Sequence, residues 1–416
     1  MMRAIIERSK IYGRIRAPRS KSHAIRLIFS SLLSSVEIID LPYSDDVLAS
    51  IDAMKSLGVR FDGRRLELIG RPLIRGENIY VRGSATTLRM LIPVLLVIGG
   101  KAHIDGDMSL RRRPLDAIVD AVRDRGVYIS GSRLPVTIEG RLDDMWVRIR
   151  GSESSQYISG FMIAFCLAGG GKIYIEPPIV SRSYIYLTKE VIEDFGCRVS
   201  IGENVIVVDR IDKAGLVRRR VEGDYALSSF YAVSALTSGG RVEIYDLYPP
   251  KQYFGDHSIF HIYRSMGAES IYSEGSWVVT ASDEYRAIDI DIENAPDLGV
   301  SIAPLASISR GVTRIRGIER LRIKESDRAS AIIEILGRFG GVARYSGDVM
   351  EIEGIDANML RRADVECNRD HRVAMMASSI AVRAGGSIDG AECVNKSNPD
   401  FWKDLSAIGG RIRLEG

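Results

Sequence analysis

SQYISGFMIAFCLAGGG, residues 155–171, is a run of apolar and small side chains entered through hydroxyl residues and left through three glycines. Small residues such as Ala164, Cys166 and Ala168 sit among the apolar ones on nearly every side, and a helix apolar all round is a buried helix. The same reading recurs as SHAIRLIFSSLLSS from Ser22, TTLRMLIPVLLVIGG from Thr86, LSSFYAVSALTSGG from Leu227, GVSIAPLASISRG from Gly299 and HRVAMMASSIAVRAGG from His371. A short alternating strand follows (GKIYIEPP, GRVEIYDL and GVTRIRGI are the clearest), then an amphipathic helix that stops at a glycine. Those glycines are Gly58, Gly126, Gly196, Gly267, Gly340 and Gly409, spaced by 68, 70, 71, 73 and 69 residues. A fixed period along a whole chain means one supersecondary unit copied. In each copy the polar residues gather just before, or in the first turn of, the apolar helix. Free N–H groups and the positive dipole end make that position suited to anions.

At 416 residues the chain is too long for one core, and six copies divide into two sets of three. Strands bounded by Gly, Asp and Pro and interleaved with helices predict an α/β fold of repeated βαβαββ-type units. The first lobe is expected over residues 14–221 and the second over 1–13 plus 222–416. The strand at Arg3 to Glu7 is left over from the first set and available to the second, which requires two chain crossings, near Tyr12–Arg16 and Val221–Asp224. Lys plus Arg total 57 against 54 for Asp plus Glu, a balance that speaks against a nucleic-acid or membrane-surface protein. The opening MMRAIIERSKIYGRIR lacks the apolar core of a signal peptide. The longest apolar run, Met90 to Gly100, is about half of a bilayer span. Four cysteines, Cys166, Cys197, Cys367 and Cys393, show no CxxC spacing and predict reduced thiols in a cytoplasmic protein.

Six constellations carry chemistry. Pro18-Arg19-Ser20-Lys21-Ser22-His23-Ala24-Ile25-Arg26 places Lys21 at a helix mouth, where a cation opposes the dipole, and Ser22 and Arg26 on one face. Arg82-Gly83-Ser84-Ala85-Thr86-Thr87 opens the next apolar helix, with Thr86 or Thr87 as the expected cap. Arg111-Arg112-Arg113-Pro114 sets like charges side by side, which an anion or acidic partner relieves. Ser152-Glu153-Ser154-Ser155-Gln156-Tyr157, echoed by Ser181-Arg182-Ser183-Tyr184, offers more hydroxyls than a cap uses and suits a phosphate. Leu321-Arg322-Ile323-Lys324-Glu325-Ser326-Asp327-Arg328, with Asp297 one helix earlier, mixes carboxylates for acid-base work with cations that hold substrate, Lys324 and Arg328 being expected as i, i+4 neighbours. The last is Asn368-Arg369-Asp370-His371-Arg372, followed by Lys396-Ser397-Asn398-Pro399. His257 and His261 share a helical spacing without a third ligand, which fits an exposed helix face better than a metal. Cations and hydroxyls at equivalent helix starts in both halves predict a site for a small, highly anionic substrate between two lobes.

At this point the chain resembles the 5-enolpyruvylshikimate-3-phosphate synthase family of enolpyruvyl transferases. PRSKSHAIR, RRRP, SESSQ, RIKESDR and RDHR are similar to the family's motifs, over residues from about Lys10 to Lys396. The resemblance implies two inverse α/β domains, each of three folding units, with the active site in the interdomain cleft. It implies addition of the 5-hydroxyl of shikimate 3-phosphate to C2 of phosphoenolpyruvate, then loss of phosphate, with no metal or organic cofactor. By the same resemblance Asp297, Glu325 and Lys21 are catalytic, Glu325 moving the proton at the methylene carbon and Asp297 serving as base for the hydroxyl. Lys21, Ser22, Arg26, Ser154, Ser155, Gln156, Ser181, Tyr184, Asp297 and Lys324 would bind shikimate 3-phosphate. Lys21, Ala85, Arg113, Gln156, Arg328, Arg372 and Lys396 would bind phosphoenolpyruvate. A cytoplasmic, monomeric enzyme of small-molecule substrates follows, with no nucleic-acid or membrane partner.

Two departures stand out. Where the family has Asn, a small residue and Gly before Thr, this chain has Gly83, Ser84 and Ala85, and the family's asparagine near Lys324 is Arg320. The family's glycine lies against phosphoenolpyruvate and the slightly longer herbicide glyphosate, so Ala85 is expected to disfavour glyphosate. The related UDP-N-acetylglucosamine enolpyruvyl transferases carry a reactive cysteine in the loop equivalent to Ser109–Arg113, where this chain has none. A non-catalytic polyanion- or RNA-binding repeat protein needs a basic stripe with exposed aromatics, and only 7% of these residues are aromatic.

Overall fold

The computed structural model describes residues 2–212, 214–252 and 254–416. The chain divides into two compact units, Met1–Pro18 with Glu222–Gly416, and Arg19–Val221. Each unit holds three four-stranded sheets of one pattern. In the sheet that follows the quoted helix, Trp146–Arg150 runs parallel to Gly170–Glu176. Val205–Arg210 and Cys197–Ile201 then add on antiparallel. The chain order is strand, apolar helix Ser155–Ala168, strand, amphipathic helix Ser183–Glu193, then a two-stranded hairpin.

Three strands reach their sheets from far along the chain. Val217–Arg220 lies parallel to Val36–Ile39 and opens the sheet of the first copy. Tyr12–Arg16 takes the same place beside Arg241–Tyr245 in the fourth. Arg3–Glu7 sits between Gly386–Asp389 and Arg411–Glu415 in the sixth. Because Tyr12–Arg16 belongs to that fourth sheet, the boundary falls after Pro18, not after residue 13 as the spacing of the copies suggested.

Each unit has its own core, built on its three apolar helices. Tyr225–Thr237 is buried at every residue, as a helix apolar all round must be. The small residues let backbones come close. A Cβ built on Gly160 would stand 2.7 Å from the Met90 carbonyl oxygen and 2.9 Å from Met90 Cα, inside the neighbouring helix Ala85–Ile98. Gly160→Ala is therefore expected to cost about 1–3 kcal/mol, because it pushes two helices apart rather than displacing a flexible side chain. Urea unfolding with no loss of midpoint relative to the parent would overturn that reading.

The repeated glycines after the amphipathic helices all have positive φ, between 72° and 103°, so the chain leaves each helix through a left-handed residue that only glycine adopts without strain. The cysteine expectation fails in one pair. Cys166, in the last turn of its helix, and Cys197, opening the strand of the same copy, form a disulfide across 31 residues. The repeat brings them together, which linear spacing hides. The histidine expectation holds for His261, exposed on the helix Ile259–Ser265, and fails for His257, which is buried in the 3-10 turn Gly255–Ser258, where its Nδ1 accepts from the Lys251 N–H at 3.0 Å. Burial, then Lys251, pushes this imidazole down to about 3, so it is neutral. Among the described residues, no helix is long and apolar enough to cross a membrane.

Candidate active site

The six apolar helices begin at equivalent points of the repeat, and their caps differ by unit. In Arg19–Val221 the caps are Ser20, Ser84 and Ser154, whose hydroxyls accept from the N–H of His23, Thr87 and Gln156 at 3.4, 3.3 and 3.2 Å. In the other unit they are Asp224, Asp297 and Asp370. Asp224 and Asp370 accept from backbone N–H groups at 2.9 and 3.0 Å, whereas the Asp297 carboxylate makes no cap bond. Ser84, rather than Thr86 or Thr87, is the second cap, and this frees Thr86 to accept from Gln156 Nε2 at 2.8 Å.

In the unit Arg19–Val221, Lys21 is the first residue of the helix Lys21–Ser30, and its Nζ donates to Asp46 Oδ2 at 2.6 Å. Asp46 is buried in the first turn of the helix Asp45–Ser56, so a carboxylate there offsets both the lysine and the dipole of its own helix. From the same helix a chain of buried hydroxyls, Ser50 to Thr87 at 2.7 Å and Thr87 to Ser84 at 2.8 Å, braces the second cap. Ser154, Ser155 and Gln156 open the third helix beside Thr86, so the starts of the second and third helices meet. Ser181 holds a left-handed φ of 50°, a conformation rare for serine, and its carbonyl accepts from the Tyr184 N–H at 3.1 Å.

Arg26, expected as a substrate ligand, lies below the helix start among protein acceptors. It is 1% exposed, and each guanidinium nitrogen donates to protein oxygen: Nε to Thr188 Oγ1 at 2.8 Å, Nη1 to the Ser22 carbonyl at 2.8 Å, Nη2 to Ser159 Oγ and the Tyr184 carbonyl at 3.2 Å. Burial pushes this guanidinium down to about 10. Its geometry is that of a brace tying the segment of Ser22 to that of Tyr184. The arginine triplet also resolves internally: Arg111 is bidentate to Asp105, while Arg113 is buried in the following turn. The Arg112 and Pro114 carbonyls that flank it accept from Arg133 and Arg89.

In the other unit three cations converge on Asp297. Arg328 Nη1 lies 2.7 Å and Lys324 Nζ 3.1 Å from Oδ1, and Arg372 Nη2 lies 3.3 Å from Oδ2. Lys324 and Arg328 are not helical neighbours. The helix Arg328–Arg338 starts at Arg328 under an Asp327 cap, and Lys324 reaches the same carboxylate from the preceding loop. Arg328 also donates from Nη2 to Glu325 Oε2 at 2.8 Å, and from Nε and Nη2 to Asp370 at 2.8 and 3.1 Å. Asp370, wholly buried, takes the Ser326 hydroxyl and the Arg372 N–H as well. One guanidinium thus holds Asp297 and Glu325 on adjacent nitrogens.

Burial alone would raise the Asp297 carboxyl, but Arg372, Lys324 and Arg328 outweigh it and hold the group well below the usual carboxylate range. Burial pushes the Lys324 ammonium down to about 8, with Asp297 opposing. Arg372 is buried, and its Nη1 has no hydrogen-bond partner among the described residues. A buried cationic donor left unmatched is costly unless something anionic arrives. Lys396 ends the 3-10 turn Ala391–Lys396, on a loop anchored where Asn398 Nδ2 donates to the Tyr231 hydroxyl at 2.8 Å. Sequence reasoning had no role for Asp46, Thr188 or Ser159, and none for Asp370 beyond its place in a motif.

A family model described as EPSP synthase (3-phosphoshikimate 1-carboxyvinyltransferase) matches residues 5–405. Proteins named 3-phosphoshikimate 1-carboxyvinyltransferase are similar along nearly their whole length. That of Saccharolobus solfataricus is 48% identical over 408 residues, 98% of each chain. That of Caldivirga maquilingensis is 38% identical over 416 residues, 98% of this chain and 99% of the relative. A solved EPSP synthase from Acinetobacter baumannii superposes with a TM-score of 0.81 over 100% of both chains at 23% identity, a likeness of fold. With the repeats, the converging cations and a match from one end to the other, the chain belongs to the EPSP synthase family.

Proposed function

We propose that this protein transfers the enolpyruvyl group of phosphoenolpyruvate to the 5-hydroxyl of shikimate 3-phosphate and releases phosphate. The observation that carries the assignment of residues is the buried cluster in which Arg328 and Arg372 share Asp297 while Arg372 Nη1 lacks a partner among the described residues. Phosphoenolpyruvate supplies the anion such donors need, and charge-assisted contacts of this kind contribute about 1.5–3 kcal/mol each. Arg113 and Lys396 complete its binding, with Lys21, Gln156 and Ala85. Shikimate 3-phosphate takes Ser154, Ser155 and Ser181 at its phosphate and Lys21, Ser22, Arg26, Gln156, Tyr184, Asp297 and Lys324 at its ring, Arg26 also bracing the segments beneath.

In the addition step the 5-hydroxyl oxygen bonds to C2, its proton passes to Asp297, and Glu325 gives a proton to C3. In the elimination step Glu325 takes a proton back from the new methyl group as the C2–O bond to phosphate breaks, and the proton held by Asp297 leaves with the phosphate. Asp297 is a weak base while three cations surround it. Once phosphoenolpyruvate competes for Arg328 and Arg372, the carboxylate regains basicity where the hydroxyl arrives. A cytoplasmic place and a single-chain active form go with this reading.

The decisive assay measures phosphate release from phosphoenolpyruvate with shikimate 3-phosphate and, separately, with UDP-N-acetylglucosamine. Turnover with the nucleotide sugar alone would replace this reading with the other enolpyruvyl transfer. Lys324 sets a pH expectation. Its ammonium binds substrate hydroxyls only below about 8, so KM for shikimate 3-phosphate is expected to rise as pH climbs through that value. Lys324→Arg should remove the inflection, and a flat profile in the parent would sink the assignment. The glyphosate expectation places Ala85, the first residue of the helix Ala85–Ile98, against the ligand. A methyl group in a packed site costs about 1–3 kcal/mol. Ala85→Gly is thus expected to lower the glyphosate inhibition constant by roughly tenfold to a hundredfold, and equal constants would remove the steric role.

A further inference from the structure

Between the strand Ala363–Glu366 and the helix His371–Ala384 the chain passes through two successive left-handed residues, Asn368 with φ 53° and Arg369 with φ 57°. Non-glycine residues seldom adopt that region. The two residues form a tight turn closed by the Asp370 N–H, which donates to the Cys367 carbonyl oxygen at 2.9 Å. The Cys367 thiol also lies 3.0 Å from the Gly390 carbonyl oxygen, and the Cys393 N–H donates to that same oxygen at 3.0 Å. The two cysteines therefore close around one carbonyl oxygen. The neighbouring Cys393 holds the Cys367 thiol below its ordinary value despite burial, while Cys367 and burial push the Cys393 thiol up.

We propose that Cys367 and Cys393 are a disulfide-forming pair, closed by exchange with a small-molecule disulfide or an oxidised dithiol carrier. The bond fastens the turn ahead of Arg372 to the segment that ends at Lys396. Cys393, the less buried of the two, attacks one sulfur of the reagent as a thiolate, having lost its proton to water; a mixed disulfide forms and the first small thiolate leaves. The Cys367 thiolate, having likewise lost its proton to water, then attacks Cys393 Sγ. The new S–S bond forms, and the second small thiolate leaves. The two leaving thiolates take up the two protons from water. Two protein thiols are oxidised, one external disulfide is reduced to two thiols, and nothing else is consumed. The chain already holds one such bond between buried residues, Cys166–Cys197. The inference does not depend on the reaction assigned above.

The full-length folded protein, incubated with oxidised glutathione, then alkylated with iodoacetamide in urea and digested, should yield a cross-linked pair of peptides containing Cys367 and Cys393. Both alkylatable thiols should disappear and return with dithiothreitol. Cys393→Ser should abolish the cross-link and leave Cys367 without a glutathione adduct, since its sulfur is buried. Two thiols that stay alkylatable, or a stable glutathione adduct on Cys393 with no cross-link, would overturn the proposal.

Discussion

Glu325→Gln is expected to lower kcat by about 100- to 10,000-fold with little change in KM for either substrate. The amide is nearly isosteric, and its oxygen still accepts from Arg328 Nη2, now 2.8 Å from Glu325 Oε2, so the cluster keeps its shape. What is lost is a group that gives and takes a proton at C3. Solvent deuterium should enter the methylene group of phosphoenolpyruvate in the parent during turnover and fail to do so in the variant. Asp297→Asn should lower kcat comparably while leaving exchange at C3 less affected, because it acts on the hydroxyl. Near-normal turnover in both variants would mean that neither carboxylate moves a proton.

Arg328→Met is expected to cost about 3–5 kcal/mol of stability near neutral pH. Removing one partner from a buried ionic cluster strands the charges that remain. Here Asp370, Glu325 and Asp297 lose their shared cation, and Asp370 is fully buried. The pH dependence has a definite sign. Asp297 is held well below its unfolded value, so its contribution is present above about pH 4 and is lost only as pH falls through the lower folded value. The variant forfeits part of that contribution and gains carboxylate repulsion, both of which fade as the carboxyls protonate. Urea unfolding should show the deficit at pH 7 and a smaller one only well below pH 4. A deficit that does not shrink on acidification would mean the loss is one of packing rather than charge.

The repeat, the buried helices and the positions of most candidate residues were legible because they are local. Alternation, small-residue helices and a glycine after each amphipathic helix are written within one copy. Pro93 and Pro304, which local rules read as helix breaks, sit inside the helices Ala85–Ile98 and Leu298–Ala306, where packing overrides propensity. Of the long-range pairings only that of Arg3–Glu7 left a trace, as a strand in excess of the first set. Val217–Arg220 pairs with Val36–Ile39 from the far end of its unit, and the boundary after Pro18 depends on a strand whose partner lies beyond residue 240. The motif showed Arg26 as a ligand but not that Thr188 and Ser159, distant in sequence, also take its donors. Asp370 was visible as a letter in a motif, but its task of orienting Arg328 needed the folded cluster.

Serine caps in one unit and aspartate caps in the other have a consequence for competition by simple anions. A hydroxyl cap leaves the positive helix end largely uncancelled, so an incoming phosphate meets neutral dipoles and displaces only water. Around Asp297 the cations already hold an internal anion, so binding there is an exchange of one carboxylate for another negative group. Exchange of that kind is open to any small oxyanion at sufficient concentration. Sulfate or inorganic phosphate therefore competes more effectively for the aspartate-capped unit than background chloride does, and buffer choice becomes part of the enzyme's measured affinity.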